Sequence, residues 1–198
     1  MSFQKVKNEI QTSIDVKARL LSEDNLIDKI CDLAKRCSNS LRMGGKIIFC
    51  GNGGSFADAQ HLSAEFTSKF LFDRESLASV ALGTNSSAMT AIGNDYGYEN
   101  VFSREIEAIG GKKDILIAIT TSGNSANILK VLRAAEEQKI YSVVLTGINR
   151  GKLGKNIECL NIPSSDTARI QECHILIGHI ICGLVEAELF QETSAAYE

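Results

Sequence analysis

One stretch constrains the fold more than any other: the short apolar run Lys46-Ile-Ile-Phe-Cys50, which empties into the glycine-rich turn Gly51-Asn-Gly-Gly-Ser55. Consecutive apolar positions, rather than alternating ones, mark a strand buried on both faces. Such a strand requires covering helices on either side, and the chain supplies them. Ala78 to Leu82 reads as a second strand, Ile115 to Thr120 as a third and Tyr141 to Thr146 as a fourth, with a weaker fifth over Ile157 to Ile162. Between them, Ser86 to Ile92, Glu99 to Ile109 and Ser125 to Gln138 carry helical spacing. Alternating strands and helices predict an α/β fold with a parallel sheet sandwiched between helices.

Two helices precede the first strand. Phe3 to Leu21 has apolar residues at Val6, Ile10, Ile14, Val16 and Leu20, and Ser22 is the expected N-cap of a second helix that Gly44-Gly45 ends. A long final helix, Ala168 to Phe190, is apolar around most of its circumference and so is expected to be well buried. With one proline, no low-complexity linker and no internal repeat, residues 1–198 read as one domain, with 1–43 as a helical extension.

Bulk properties exclude several classes of function. A net charge of −3 offers no general basic surface for nucleic acid. Apolar runs such as Ile115 to Ile119 are too short to span a bilayer, and the first residues lack the apolar core of a signal peptide. The six cysteines include no CxxC pair and are expected to be free thiols, mostly buried, in a reducing cytoplasm.

In parallel sheets, ligands bind beyond the carboxyl ends of the strands, which directs attention to the loops after strands one and three. The first loop, Gly51 to Ser55, lets backbone N–H groups approach a ligand at a helix N-terminus. It is neither a Walker loop nor GxGxxG, and glycine density alone does not separate a ligand cradle from a tight turn. The second loop, Thr120-Thr-Ser-Gly-Asn-Ser125, places four hydroxyls before a helix. Capping uses one hydroxyl, so the surplus favours a neutral phosphate cradle.

His61 and Glu65 are four apart on the helix after the first loop and share a face. Gln171 and His179, eight apart on the last helix, lie roughly on one side of it. Two facing helices with these residues could offer ligands to zinc. From spacing alone, such a His/Glu pair is more often a surface polar pair. His174 lies on another side of its helix and reads as structural.

Taken in order, the motifs Cys50 to Ser55, His61 to Glu65, Ala91 to Gly97, Thr121 to Asn127 and Thr167 to Glu172, followed by His179, resemble those of the phosphoheptose isomerases, members of the sugar isomerase (SIS) domain family. The resemblance runs along nearly the whole chain. It implies a five-stranded parallel sheet and a homotetramer with active sites between subunits, the N-terminal helices packing in the oligomer. It also implies isomerisation of sedoheptulose 7-phosphate to D-glycero-D-manno-heptose 7-phosphate for lipopolysaccharide or capsule heptose synthesis. By the same resemblance Thr120, Thr121, Ser122 and Ser125 hold the phosphate, while Asn52, Gly53, Gly54, Ser55, Asn94 and Asp95 line the sugar site. His61, Glu65, Gln171 and His179 match one zinc site, with Gln171 and Glu65 also touching substrate. Glu65 and His179 match the catalytic pair. Lys69 stands where many relatives have arginine, and Ala168 where some have aspartate, which bears on substrate preference. The competing expectation is a non-catalytic SIS-type protein that binds phosphosugars or associates with the replication initiator. Such relatives lack the Glu and second His kept here.

Overall fold

The computed structural model describes residues 2–190. Helices α1 (Phe3–Leu21) and α2 (Asp24–Arg42) lead into β1 (Ile47–Gly51), α3 (Gly54–Thr67) and β2 (Ser79–Ala81). Then follow α4 (Ser86–Tyr96), a 3-10 turn at Tyr98–Asn100, α5 (Val101–Ile109), β3 (Ile115–Ile119), α6 (Ala126–Glu137), β4 (Tyr141–Thr146), β5 (Glu158–Asn161) and α7 (Thr167–Phe190). The five strands form one parallel sheet in the order β2-β1-β3-β4-β5.

Side chains alternate across each strand, so the sheet serves two cores. Ile47, Phe49, Ile115, Ile117 and Ile119 face one, shared with α1, α2, α3 and α7. Ile48, Cys50, Leu116 and Ala118 face the other, with α5 and α6. Both faces of β1 and β3 are buried, which explains their uninterrupted apolar sequences. The chain leaves β1 toward β2 and then crosses back to β3, so winding reverses between β1 and β3. In open parallel sheets such a switch point, at the strands' carboxyl ends, is where ligands bind. The two loops singled out from the sequence flank it.

Some boundaries differ from the sequence reading. Ser22 does not open α2; it closes α1, its hydroxyl donating to the Arg19 carbonyl at 2.8 Å, and Glu23 is the N-cap of α2. The Ser86 helix runs on to Tyr96, because the Asn85 side chain caps it and Gly97, at φ 89°, turns the chain only afterwards. On α1, Val16 and Leu20 are buried, whereas Phe3, Val6, Ile10 and Ile14 are all more than half exposed. By length and composition α7 qualifies as a membrane span, contrary to the judgement from short runs. Here one side of α7 enters the core, carrying Cys173, Ile177, Ile181 and Val185 beside the charged Glu186. All six cysteines are free, and all but Cys31 are buried.

Candidate active site

The first loop is built by its glycines. Gly53 has φ 57° and ψ −121°, a conformation closed to side chains with a Cβ. Gly54 lies directly against Gln171 of α7: a Cβ there would approach its Nε2 to 2.7 Å. Gln171 therefore stands at the mouth of this loop. Ser55 is buried at the start of α3.

The hydroxyl loop leads from β3 into α6. Thr120 Oγ1 accepts from the Gly123 N–H at 3.3 Å, and Ser122 Oγ from the Asn124 N–H at 3.3 Å. Ser125 occupies the N-cap position of α6 yet makes no side-chain capping bond. Capping therefore does not account for these hydroxyls.

Asn127, absent from the sequence-based site, ties the two loops together. Its amide exchanges two hydrogen bonds with Asn52: Asn52 Nδ2 donates to Asn127 Oδ1 at 2.9 Å, and Asn127 Nδ2 to Asn52 Oδ1 at 2.8 Å. Asn127 is buried in the first turn of α6, and because burial is not written in the sequence, its place at the end of the Thr121 to Asn127 motif was the only pointer to it. Tyr98 Oη also donates to Asn52 Oδ1, at 3.2 Å. Asn94 and Asp95, at the exposed end of α4, bond to each other at 2.8 Å.

Farther along α3, His61, Glu65 and His179 converge, their donor atoms all within 4.8 Å of one another. Glu65 Oε1 lies 3.0 Å from His61 Nε2, which lies 3.2 Å from His179 Nε2. Helical spacing puts the first two on one face, and the crossing of α3 and α7 brings in the third. His61 is seven residues past Gly54, about 10 Å of helix. The loop end and the imidazole end are thus separated along α3.

This trio suits a divalent metal. Two imidazole nitrogens facing each other need a shared proton or a cation between them. Zinc bound at about 2.0 to 2.1 Å in tetrahedral geometry sets nitrogen ligands roughly 3.3 Å apart, close to the spacing present. Asp58, one turn before His61, is a further residue that sequence reading missed. Half-burial pushes its carboxyl above the usual carboxylate range, while His61 and His179 nearby draw it back down. Its Oδ2 is buried without a hydrogen-bond partner among the described residues. Its spacing three before His61 was visible in the sequence. His174 is fully buried, and burial holds its imidazole down to about 4, as befits a structural residue.

Residues 12–147 match the SIS domain family. A phosphoheptose isomerase of Aneurinibacillus thermoaerophilus is 49% identical over 187 residues, covering 94% of each chain. The chain belongs to the SIS domain family, among the phosphoheptose isomerases. Solved phosphoheptose isomerases share the fold closely. That of Francisella tularensis superposes with a TM-score of 0.88 at 34% identity, over 93% of this chain and 98% of the other. That of Neisseria gonorrhoeae gives 0.84 at 41% identity, with the same coverage. The five-stranded parallel sheet and its N-terminal helices are therefore family features rather than local inventions.

Proposed function

We propose that this SIS domain protein isomerises sedoheptulose 7-phosphate to D-glycero-D-manno-heptose 7-phosphate, feeding lipopolysaccharide or capsule heptose synthesis. The observation that carries the reading is the convergence of Glu65 and His179, from two different helices, beside His61. Phosphosugar-binding relatives without chemistry have no need of a positioned base.

The chemistry moves a proton between C1 and C2 through an enediolate. Thr120, Thr121, Ser122 and Ser125, with the amide groups at the start of α6, receive the phosphate and fix the far end of the sugar. Asn52, Gly53, Gly54, Ser55 and Gln171, with Asn94 and Asp95, hold its hydroxyls. The Asn52–Asn127 amide pair keeps sugar loop and phosphate loop in register. Glu65 takes the carbon-bound proton: its Oε1 faces His61, leaving the second oxygen for the substrate. His179 exchanges the hydroxyl proton as acid and base. His61, Glu65 and His179 would hold one zinc ion, which would supply Lewis-acid polarisation of the sugar oxygens, while Gln171, the fourth ligand expected from the sequence, stands at the glycine loop, away along α3 from the trio within one chain.

The same reading includes a cytoplasmic homotetramer with sites between subunits. Six free thiols accord with a reducing compartment. The exposed ridge Phe3, Val6, Ile10 and Ile14 on α1 follows helical spacing and is left largely uncovered by the described residues, as expected of a face buried by a second copy. The test is incubation of the purified protein with sedoheptulose 7-phosphate, with and without a chelator, followed by NMR. Appearance of the aldose, lost on chelation and regained with zinc, is expected. No aldose from zinc-loaded protein would refute the assignment.

A further inference from the structure

Glu186 is fully buried on α7, and its partner Arg74 is 3% exposed. The Glu186 carboxylate accepts three hydrogen bonds: from the Phe70 N–H at 3.0 Å, the Leu71 N–H at 2.7 Å and Arg74 Nε at 2.9 Å. Arg74 in turn spends its guanidinium on the end of α3. Nη2 donates to the Glu65 carbonyl at 2.8 Å, and Nη1 to those of Phe66 at 2.8 Å and Ser68 at 2.9 Å. A helix end leaves such carbonyls without intrahelical partners, and here one side chain takes them up. The ion pair thus joins the last turn of α3, which carries Glu65, to α7, which carries His179 two turns before Glu186.

The segment pinned in this way delivers a ring to the site. Phe70 stacks on His179, with centroids 5.4 Å apart and planes inclined by 24°. His179 also meets His61 edge-on, with centroids 5.0 Å apart. An imidazole ligand needs its ring plane fixed, usually by a hydrogen bond to its second nitrogen. Here an aromatic face does that work, and the buried carboxylate grips the backbone that carries it.

A buried ion pair adds little net stability compared with apolar residues of similar size. Its position, linking the helices that hold the trio, points to geometry instead. We propose that Glu186, Arg74 and Phe70 form one positioning unit that orients the His179 imidazole toward His61 and Glu65. The proposal rests on the metal-assisted isomerase reading but extends to residues that touch neither metal nor sugar.

The test compares full-length Phe70→Leu, Phe70→Tyr and Glu186→Gln with the parent protein. Phe70→Leu keeps every backbone bond of the segment and removes only the ring. Its zinc affinity, measured by competition with a chromophoric chelator, is expected to fall about tenfold, in the range known for loss of groups that support a metal ligand. Its kcat falls by a similar factor while KM changes less than twofold. In metal-free protein, the His179 ring-proton resonances lose the shift imposed by the stacked ring. Phe70→Tyr restores all three. Glu186→Gln lowers zinc affinity further, at a reduced thermal midpoint. The proposal fails if folded Phe70→Leu keeps parental zinc affinity and His179 shifts, or if Phe70→Tyr is as impaired as Phe70→Leu. A parent that binds zinc but does not isomerise the heptose phosphate would refute the catalytic reading alone, and the zinc and resonance measurements would still decide this one.

Discussion

Substituting Gly178 by alanine tests whether the site is built by the closeness of two helices. Gly178 of α7 abuts Leu62 of α3: a Cβ at 178 would lie 2.4 and 2.5 Å from the Leu62 methyls and 3.0 Å from its Cγ. Comfortable carbon contacts lie at about 3.5 to 4.0 Å, so the helices or the leucine must yield by about 1 Å. Leu62 is itself fully buried, which leaves its side chain little room to turn away. Overpacking of this kind costs about 1–3 kcal/mol. Alanine's better helix propensity returns about 1 kcal/mol. The net loss of stability is then about 0–2 kcal/mol, or a few degrees in thermal midpoint for a chain of this size. The functional effect should be larger. His61 precedes Leu62 and His179 follows Gly178, so the same displacement acts on the 3.2 Å gap between their Nε2 atoms. Functional constellations tolerate only about 0.5 Å. Zinc affinity is therefore expected to drop by about 10- to 100-fold, comparable with loss of a supporting group, and kcat with it. Gly154→Ala, away from both helices, is the control, because its Cβ would meet only Ile157 at 3.9 Å, an ordinary contact. Chelator competition and steady-state kinetics on both variants decide the matter. If Gly178→Ala stays within twofold of the parent on both, the close crossing does not set the site.

Three further outcomes are expected. Glu65→Gln should fold normally and lose turnover by a factor of about 100 or more, since it removes the proposed base; near-parental kcat by NMR assay would remove Glu65 from that role. His174 makes the fold acid-sensitive: the unfolded chain takes up a proton near 6.5 that the folded chain refuses until about 4, so stability is complete above pH 6.5 and falls as pH drops through that window. The full loss is about 3 kcal/mol, and urea titrations at pH 7.5 and 5 should show His174→Leu less pH-dependent than the parent; equal dependence would refute the assignment. Ile10→Asp, on the exposed α1 ridge, should lower the mass observed by light scattering to that of a smaller assembly; an unchanged mass would place the interface elsewhere.

What could be read from the sequence was whatever repeats locally. β1 and β3 were legible because burial on both faces leaves unbroken apolar runs, and β4 was located to the residue. His61 and Glu65 were legible as a pair because helical spacing is local, and the resemblance of ordered motifs supplied His179. The residues that bring these groups together left weaker signals. Nothing near Phe70 or Arg74 in the chain indicates that Glu186, more than a hundred positions later, will bind both. Gly178 looks like any glycine in an apolar helix until Leu62 is found against it. The α1 ridge shows the same limit from the opposite side. Its periodicity correctly marked an apolar face, but Phe3, Val6, Ile10 and Ile14 lie open within the chain. Periodicity reports that a face seeks cover and is silent on what provides it. A site whose ligands come from two helices depends on the distance between those helices, and that distance is set by close approaches and buried charges whose partners are remote in sequence.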